Sequence, residues 1–363
     1  MRLPASPNST SLYSQPDSRA KLATELNYLF MIEAQTASDV LMIRPVNFAG
    51  NVQTAASNRF QQLPFHQLSG TSSDNTAQAA ALAEFDALAN ALQRAGVNVQ
   101  VFEDTPDPHT PDSIFPNNWV SFHTDGTVVL YPMLAPNRRL ERRLDIIEAL
   151  HARHGFHITR TIDLTHREAE EKFLEGTGSL VLDRANRIAY ACLSPRTDMD
   201  VLGEFAQRLD YDVAAFEAFD AGGAAIYHTN VLMSVGTRFA ALCAECIEQE
   251  RRGTVLDMLR AGGRTVIELS LQQMHSFAGN MLELRTQSGA SVIAMSDAAR
   301  ASLTPPQLIA LETAGGTIVS SSIPTIERLG GGSVRCMIAE IHLPRMGEAG
   351  RGERSRVRPQ TGM

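Results

Sequence analysis

The stretch Asn118-Trp119-Val120-Ser121-Phe122-His123-Thr124-Asp125-Gly126-Thr127-Val128-Val129-Leu130-Tyr131 holds two short apolar runs joined by an Asp-Gly turn. That pattern predicts two strands folded back on each other, because Asp-Gly favours the tight turn between them. An amphipathic stretch over 138–154 follows and predicts a helix. The same succession returns along the chain. Strands are expected at 178–182 and 187–193 with a helix at 201–209, and at 230–233 and 238–242 with a helix at 245–260. A further copy has strands at 280–284 and 291–295 with a helix at 305–314. The fifth starts at Arg335-Cys336-Met337-Ile338-Ala339 and is completed from the other end of the chain by a strand at 40–43 and a helix at 78–95. These starts lie about 50–60 residues apart, within the range of repeat architectures. Another strand candidate precedes each start, at 97–102, 156–162, 212–216, 264–269 and 317–321. Strands alternating with helices predict an α/β fold. Five ββαβ-type units are expected to close into a five-bladed pseudo-symmetric α/β propeller, with the first and last strands sharing one blade.

The 363-residue chain is 44% hydrophobic and 20% charged, enough apolar material for a sizeable core. Its formal charge of -8 argues against nucleic acid or an anionic membrane as the main partner. No apolar run approaches the roughly 18–20 residues of a membrane span. No basic start followed by an apolar block marks a secretory signal. Four cysteines do not make a disulfide framework in a chain this long, so a reducing, cytoplasmic setting is expected. Residues 1–36, rich in Ser, Pro, Asn and Gln, are expected to form a disordered extension with a short helical turn at 22–30. Residues 37–346 are expected to form a single propeller domain, and the Gly- and Arg-rich 347–363 a flexible tail.

A cyclic repeat gathers functional groups at its axis, where the units begin. The five starts are Asp112-Ser113-Ile114-Phe115-Pro116-Asn117-Asn118, Leu174-Glu175-Gly176-Thr177-Gly178, Ile226-Tyr227-His228-Thr229-Asn230, Phe277-Ala278-Gly279-Asn280 and Gly330-Gly331-Gly332-Ser333-Val334-Arg335-Cys336. They supply a thiol, an imidazole, a carboxylate, and an aspartate with two amides. Those are the parts of a nucleophile, an acid/base, an orienting group and a substrate clamp. The glycine triplet permits close backbone approach just before Cys336, and the apolar run after it reads as a buried strand.

On these residues and on 41–45, the sequence resembles the guanidino-group-modifying (pentein) superfamily of arginine deiminases, dimethylarginine hydrolases and amidinotransferases. It is most similar to the arginine-deiminase-related branch called citrulline utilisation hydrolases. The likeness covers about residues 38–346. It implies a five-bladed propeller, a covalent cysteine mechanism, and neither metal nor other cofactor. Carried over, Cys336 would be the nucleophile, His228 the general acid/base and Glu175 the carboxylate that orients the imidazole. A thiol is mostly protonated at neutral pH and needs a base or cation nearby, and histidine titrates in the right range.

Where dimethylarginine hydrolases and arginine deiminases usually carry carboxylates, the matching stretch Phe115-Pro116-Asn117-Asn118 has two amides. A guanidinium is a donor-only cation and favours carboxylates, whereas a neutral ureido group offers a carbonyl acceptor and N–H donors that suit asparagine. Citrulline, hydrolysed to ornithine, ammonia and carbon dioxide, is therefore the expected substrate. For its amino-acid end, Arg196 resembles a carboxylate-binding arginine of the family, Arg138 and Arg139 are further candidates, and Asp112 would meet the ammonium. The expected partner is a small arginine-like amino acid, with a homodimer as the expected assembly and no nucleic acid or membrane. The alternatives are an arginine deiminase or dimethylarginine hydrolase, then an amidinotransferase. A non-catalytic propeller-type binding protein, like the ribosome anti-association factors, would lack the Cys and His pair.

Cys243 and Cys246 have CxxC spacing but no second pair or histidine at metal-ligand distance, and are read as core within a helix. His151, His154 and His157 straddle a glycine helix stop and are not read as a site, and the basic 351–358 run is read as tail.

Overall fold

The apolar runs of each unit pair into one three-stranded sheet in the computed structural model, which describes residues 33–63 and 75–347. β1 (Asp39–Arg44) runs parallel to β2 (Asn98–Glu103), joined through the helix Asn75–Arg94. β3 (Val120–Phe122) and β4 (Thr127–Leu130) form the antiparallel hairpin around Asp125-Gly126, and β4 lies parallel to β5 (Arg160–Asp163). The pattern repeats in β6 (Val181–Asp183), β7 (Ile188–Leu193) and β8 (Asp212–Glu217). It returns in β9 (Met233–Val235), β10 (Phe239–Leu242) and β11 (Thr265–Glu268), and again in β12 (Leu282–Arg285), β13 (Ser291–Ser296) and β14 (Thr317–Ser321). β15 (Ala339–Ile341) pairs antiparallel with β1, Asp39 opposite Ile341, so strands from opposite ends of the chain complete the fifth sheet. The middle strand of each sheet is buried along most of its length, which is why it reads as a continuous apolar run without alternation.

The helices follow local rules. Met199–Leu209 starts on Asp198, whose carboxylate accepts from the Asp200 and Val201 N–H groups, and it buries Val201, Leu202, Phe205, Ala206 and Leu209 on one face. Pro305–Gly315 begins with proline in its first turn behind a Thr304–Gln307 capping box, and Gly316 ends it at φ +87°. Among the described residues no helix is long and apolar enough to cross a membrane.

Several expectations need correction. The units do not begin with strands at 118, 178, 230, 280 and 335. Single helical turns stand there instead: Pro116–Asn118, Gly176–Ser179 and Thr229–Leu232, with comparable turns closed by Asn280 N–H to Phe277 O (2.9 Å) and Cys336 N–H to Ser333 O (3.0 Å). Both sides of these segments are buried, so no in–out alternation marks them, and Pro116 has its φ preset for a turn. The helix expected over 138–154 is two pieces, Pro136–Glu141 and Leu144–Ala152. The one expected from 245 begins at Gln249, because Cys243 and Cys246 sit in a tight turn after β10. Of the expected extension and tail, 1–32 (including the turn at 22–30) and 348–363 lie outside the described residues. Gln35, which the sequence reading put in the extension, bridges two sheets: its amide donates to Leu182 O and Val235 O, both at 2.9 Å.

Candidate active site

The turns that open the units carry the polar groups. Glu175 caps the turn Gly176–Ser179, fixed by its N–H bond to the Ser179 hydroxyl (2.9 Å), which itself donates to Arg196 O at 2.8 Å. Its Oε1 accepts from the Leu134 N–H at 3.1 Å. Its Oε2 lies 2.9 Å from His228 Nε2, 3.3 Å from Arg196 Nη1 and 3.7 Å from Arg138 Nη1. Burial alone would push this carboxyl up, but Arg196, His228 and Arg138 together hold it well below the usual carboxylate range. His228 precedes the turn Thr229–Leu232 in extended backbone, its ring 4.7 Å from that of Tyr227. Burial lowers its pKa to about 4 against the opposing pull of Glu175, so the imidazole is neutral at pH 7. Gly178 makes room for this arrangement. A Cβ there would fall 2.3 Å from Asn118 Nδ2 and 2.7 Å from His228 Nδ1.

Cys336 follows a glycine turn whose Gly331 has φ +64°, where an added Cβ would also meet Asn58 Nδ2 at 2.5 Å. Tyr227 donates its hydroxyl to Gly331 O at 2.6 Å, and Asn58 Nδ2 donates to the Gly330 and Gly331 carbonyls. The sulfur accepts from Asn280 Nδ2 at 3.3 Å and Asn230 Nδ2 at 3.5 Å. Cys336 and His228 line one narrow pocket, together with Asp112, Phe115, Asn118, Arg138, Arg196 and Tyr227.

The other candidates fall into three groups. Asn118 is buried in the pocket wall, with Oδ1 accepting from Arg138 Nη1 at 2.9 Å. Asp112 shares its Oδ2 with Asn51 Nδ2 (2.8 Å), while Oδ1 is buried with no partner among the described residues. Burial raises its pKa against the pull of Arg138. Arg138 makes a bidentate pair with Glu141, Nε–Oε1 and Nη2–Oε2 both at 2.9 Å. Arg196 stacks over Tyr227 at 4.9 Å, and its Nε/Nη2 fork grips the Ser57 hydroxyl at 3.1 and 2.7 Å. Asn117 is fully buried with neither amide atom partnered among the described residues, and it does not line the pocket. Arg139 also stands apart: its guanidinium donates to the carbonyls of Met133 and Leu134 and lies 3.5 Å from Glu168.

Sequence reasoning passed over Tyr227, the donor roles of Asn230 and Asn280, and the segment 51–61, whose Asn51, Thr54, Ser57 and Asn58 hold Asp112, Arg196 and the glycine turn. The polar residues at matched unit starts were a signal for the two asparagines. Segment 51–61 has no periodicity and offered none.

The family described as N,N dimethylarginine dimethylhydrolase, eukaryotic, matches residues 44–343. A search of curated proteins finds no match. Among solved structures, ArgZ, an arginine dihydrolase from the ornithine-ammonia cycle in cyanobacteria, superposes with TM-score 0.64 at 16% identity over 85% of this chain and 41% of its own. The chain thus spans about two-fifths of that ArgZ chain. The N-terminal domain of ArgZ, bound covalently to a reaction intermediate, aligns with TM-score 0.63 at 17% identity over 84% of this chain and 99% of the domain. A dimethylarginine dimethylaminohydrolase holding an adduct with S-methyl-L-thiocitrulline aligns with TM-score 0.55 at 13% identity, covering 84% of this chain and all of the other.

Proposed function

Because the chain belongs to the dimethylarginine dimethylhydrolase family, within the pentein superfamily of guanidino-modifying hydrolases, we propose that it hydrolyses the ureido C–N bond of citrulline through Cys336, His228 and Glu175. The observation that carries this reading is the fixed orientation of Asn118. Arg138 holds its Oδ1, so the end left for a ligand is the N–H end, one hydrogen of which reaches Glu175 O at 3.5 Å while the other stays available. That end complements the carbonyl oxygen of a ureido group and has nothing to accept from a donor-only guanidinium. The five sheets stand in this reading as blades around one axis, supported by contacts of β3 with β15, β6 with β9 and β9 with β12.

In the proposed reaction the Cys336 sulfur attacks the ureido carbon while its proton passes to neutral His228. The carbonyl electrons move onto oxygen and return as a C–N bond breaks. The leaving amine takes the proton from His228, which then withdraws one from water. Water cleaves the S-linked intermediate, and the sum is citrulline plus water to ornithine plus carbamate, which gives ammonia and carbon dioxide. Glu175 stabilises the imidazolium that forms between the two proton transfers. Asp112, with one oxygen unpartnered, would meet the substrate ammonium, and Arg196 its carboxylate after Ser57 is displaced. Phe115 walls the pocket, and Arg138 serves as the clamp on Asn118.

A second reading, hydrolysis of arginine or a methylated arginine, is favoured by the family description and by the free oxygen of Asp112. Amine release from citrulline, arginine and methylated arginines separates the two. Ornithine from citrulline alone is expected. Asn118→Asp places a carboxylate against the substrate and is expected to raise the arginine-to-citrulline rate ratio by about tenfold or more; an unchanged ratio would overturn the citrulline assignment.

The acid side of the kcat/KM profile should also be displaced. His228 must be neutral to accept the thiol proton, and its pKa is lowered to about 4. Activity is therefore expected to persist on acidification through 6.5, the ordinary histidine value, and to fall only near pH 4. A fall centred at or above 6.5, in initial rates at subsaturating substrate, would contradict a buried neutral base.

A further inference from the structure

We infer that the carboxamides of Asn280 and Asn230 are catalytic groups that hold the Cys336 sulfur as an anion, donating to it at 3.3 and 3.5 Å where Arg138, Arg196 and Arg335 are each paired with a carboxylate. The inference rests on Cys336 being the nucleophile. The direction of the Asn280 amide is fixed. Its Oδ1 accepts from the Arg335 N–H at 3.0 Å, and its NH2 group gives one hydrogen to Asn230 O at 2.9 Å and one to sulfur; the Oδ1 atoms of Asn280 and Asn230 lie 3.7 and 3.9 Å from the sulfur and accept from the thiol while it is protonated. Both asparagines are fully buried, and Cys336 is 3% exposed. A sulfur anion there has lost most of its water, and donated N–H bonds must replace that solvation.

Among the described residues, the charged groups around the thiol make no hydrogen bond to its sulfur. Arg138 is paired with Glu141 at 2.9 Å, and Arg196 with Glu175 at 3.3 Å and with the Ser57 hydroxyl. Arg335, next in the chain, turns away to Ile338 O and Glu340, both at 2.9 Å. Asp112 brings negative charge, Tyr227 spends its hydroxyl on Gly331 O, and His228 is bonded to Glu175. A neutral ureido substrate brings no positive charge of its own to the sulfur. The two amides are what remains, and they come from the third and fourth unit starts.

Alkylation by iodoacetamide, in which the thiolate displaces iodide, reads the sulfur anion without any substrate. It is followed on the full chain across pH, with the modified peptide identified by mass and Cys336→Ala reporting background from buried Cys192, Cys243 and Cys246. Asn280→Ala and Asn230→Ala are each expected to slow modification of Cys336 by about tenfold at neutral pH while reaching the wild-type plateau in alkali. Fluorescence of buried Trp119 verifies that each variant is folded, and either one alone suffices for the test. A wild-type pH profile in the variants overturns the inference. So does an equal loss at every pH, the mark of a merely displaced turn. Failure of wild type on every ureido and guanidino substrate sinks the functional reading instead, since the alkylation profile does not depend on it.

Discussion

Cys336→Ala is expected to reduce turnover by roughly four orders of magnitude or more, the scale on which a covalent enzyme loses its nucleophile. The sulfur is the one nucleophilic atom in a pocket whose other groups are amides, arginines, an aspartate, a tyrosine bonded to Gly331 and an imidazole bonded to Glu175. Nothing among them substitutes for it. Acid quenching during turnover should trap a thiocarbamate adduct on the wild-type Cys336 peptide and none on the variant. His228→Ala should also lose turnover, because the imidazole takes the thiol proton, protonates the leaving amine and then activates water. No adduct is expected to accumulate on it, since the leaving amine has lost its acid. Turnover that survives in Cys336→Ala within about tenfold of wild type would exclude the covalent route.

Asp183→Ala is expected to cost about 3–5 kcal/mol of folding stability, the usual loss when one member of a buried ion pair is removed. Arg264 meets Asp183 in a fork, Nη1–Oδ2 at 2.6 Å and Nη2–Oδ1 at 2.7 Å, with both side chains essentially inaccessible to solvent. The pair ties the end of β6 to the residue just before β11, in the neighbouring sheet. Arg264 also donates to Gly236 O at 2.7 Å, so a lone guanidinium is held in place and stranded without its counter-charge. Replacing both residues, Asp183→Leu with Arg264→Met, should restore much of the loss, since apolar side chains leave no buried charge to solvate. Urea unfolding of the wild type and both variants measures this. A single-variant loss below about 1 kcal/mol would place the pair among solvent-screened surface bridges.

The sequence was legible where local physics decides. Apolar runs split by turns such as Asp125-Gly126 marked the hairpins, and the amphipathic stretch at 201–209 marked its helix, because turn chemistry and burial act on neighbouring residues. The recurrence of the unit was enough to pair a strand near the start with one near the end, as β1 and β15 do. The matched polar unit starts also brought Cys336, His228, Glu175 and Asn118 forward, and the family resemblance supplied the roles expected of them.

Tertiary structure decided the rest. The opening segments became helical turns because both their sides are covered, a circumstance set by other units and invisible in a local pattern. Arg138 and Arg139 are neighbours in sequence, yet one is buried against Asn118 and Glu141 and the other rests on backbone carbonyls outside the pocket. Segment 51–61 reaches Asp112, Arg196 and Gly331 from far along the chain, and the amide of Asn280 finds sulfur 56 positions away. Such contacts depend on how five sheets assemble. Residue types fixed what chemistry was available, and packing between distant units chose which groups would meet.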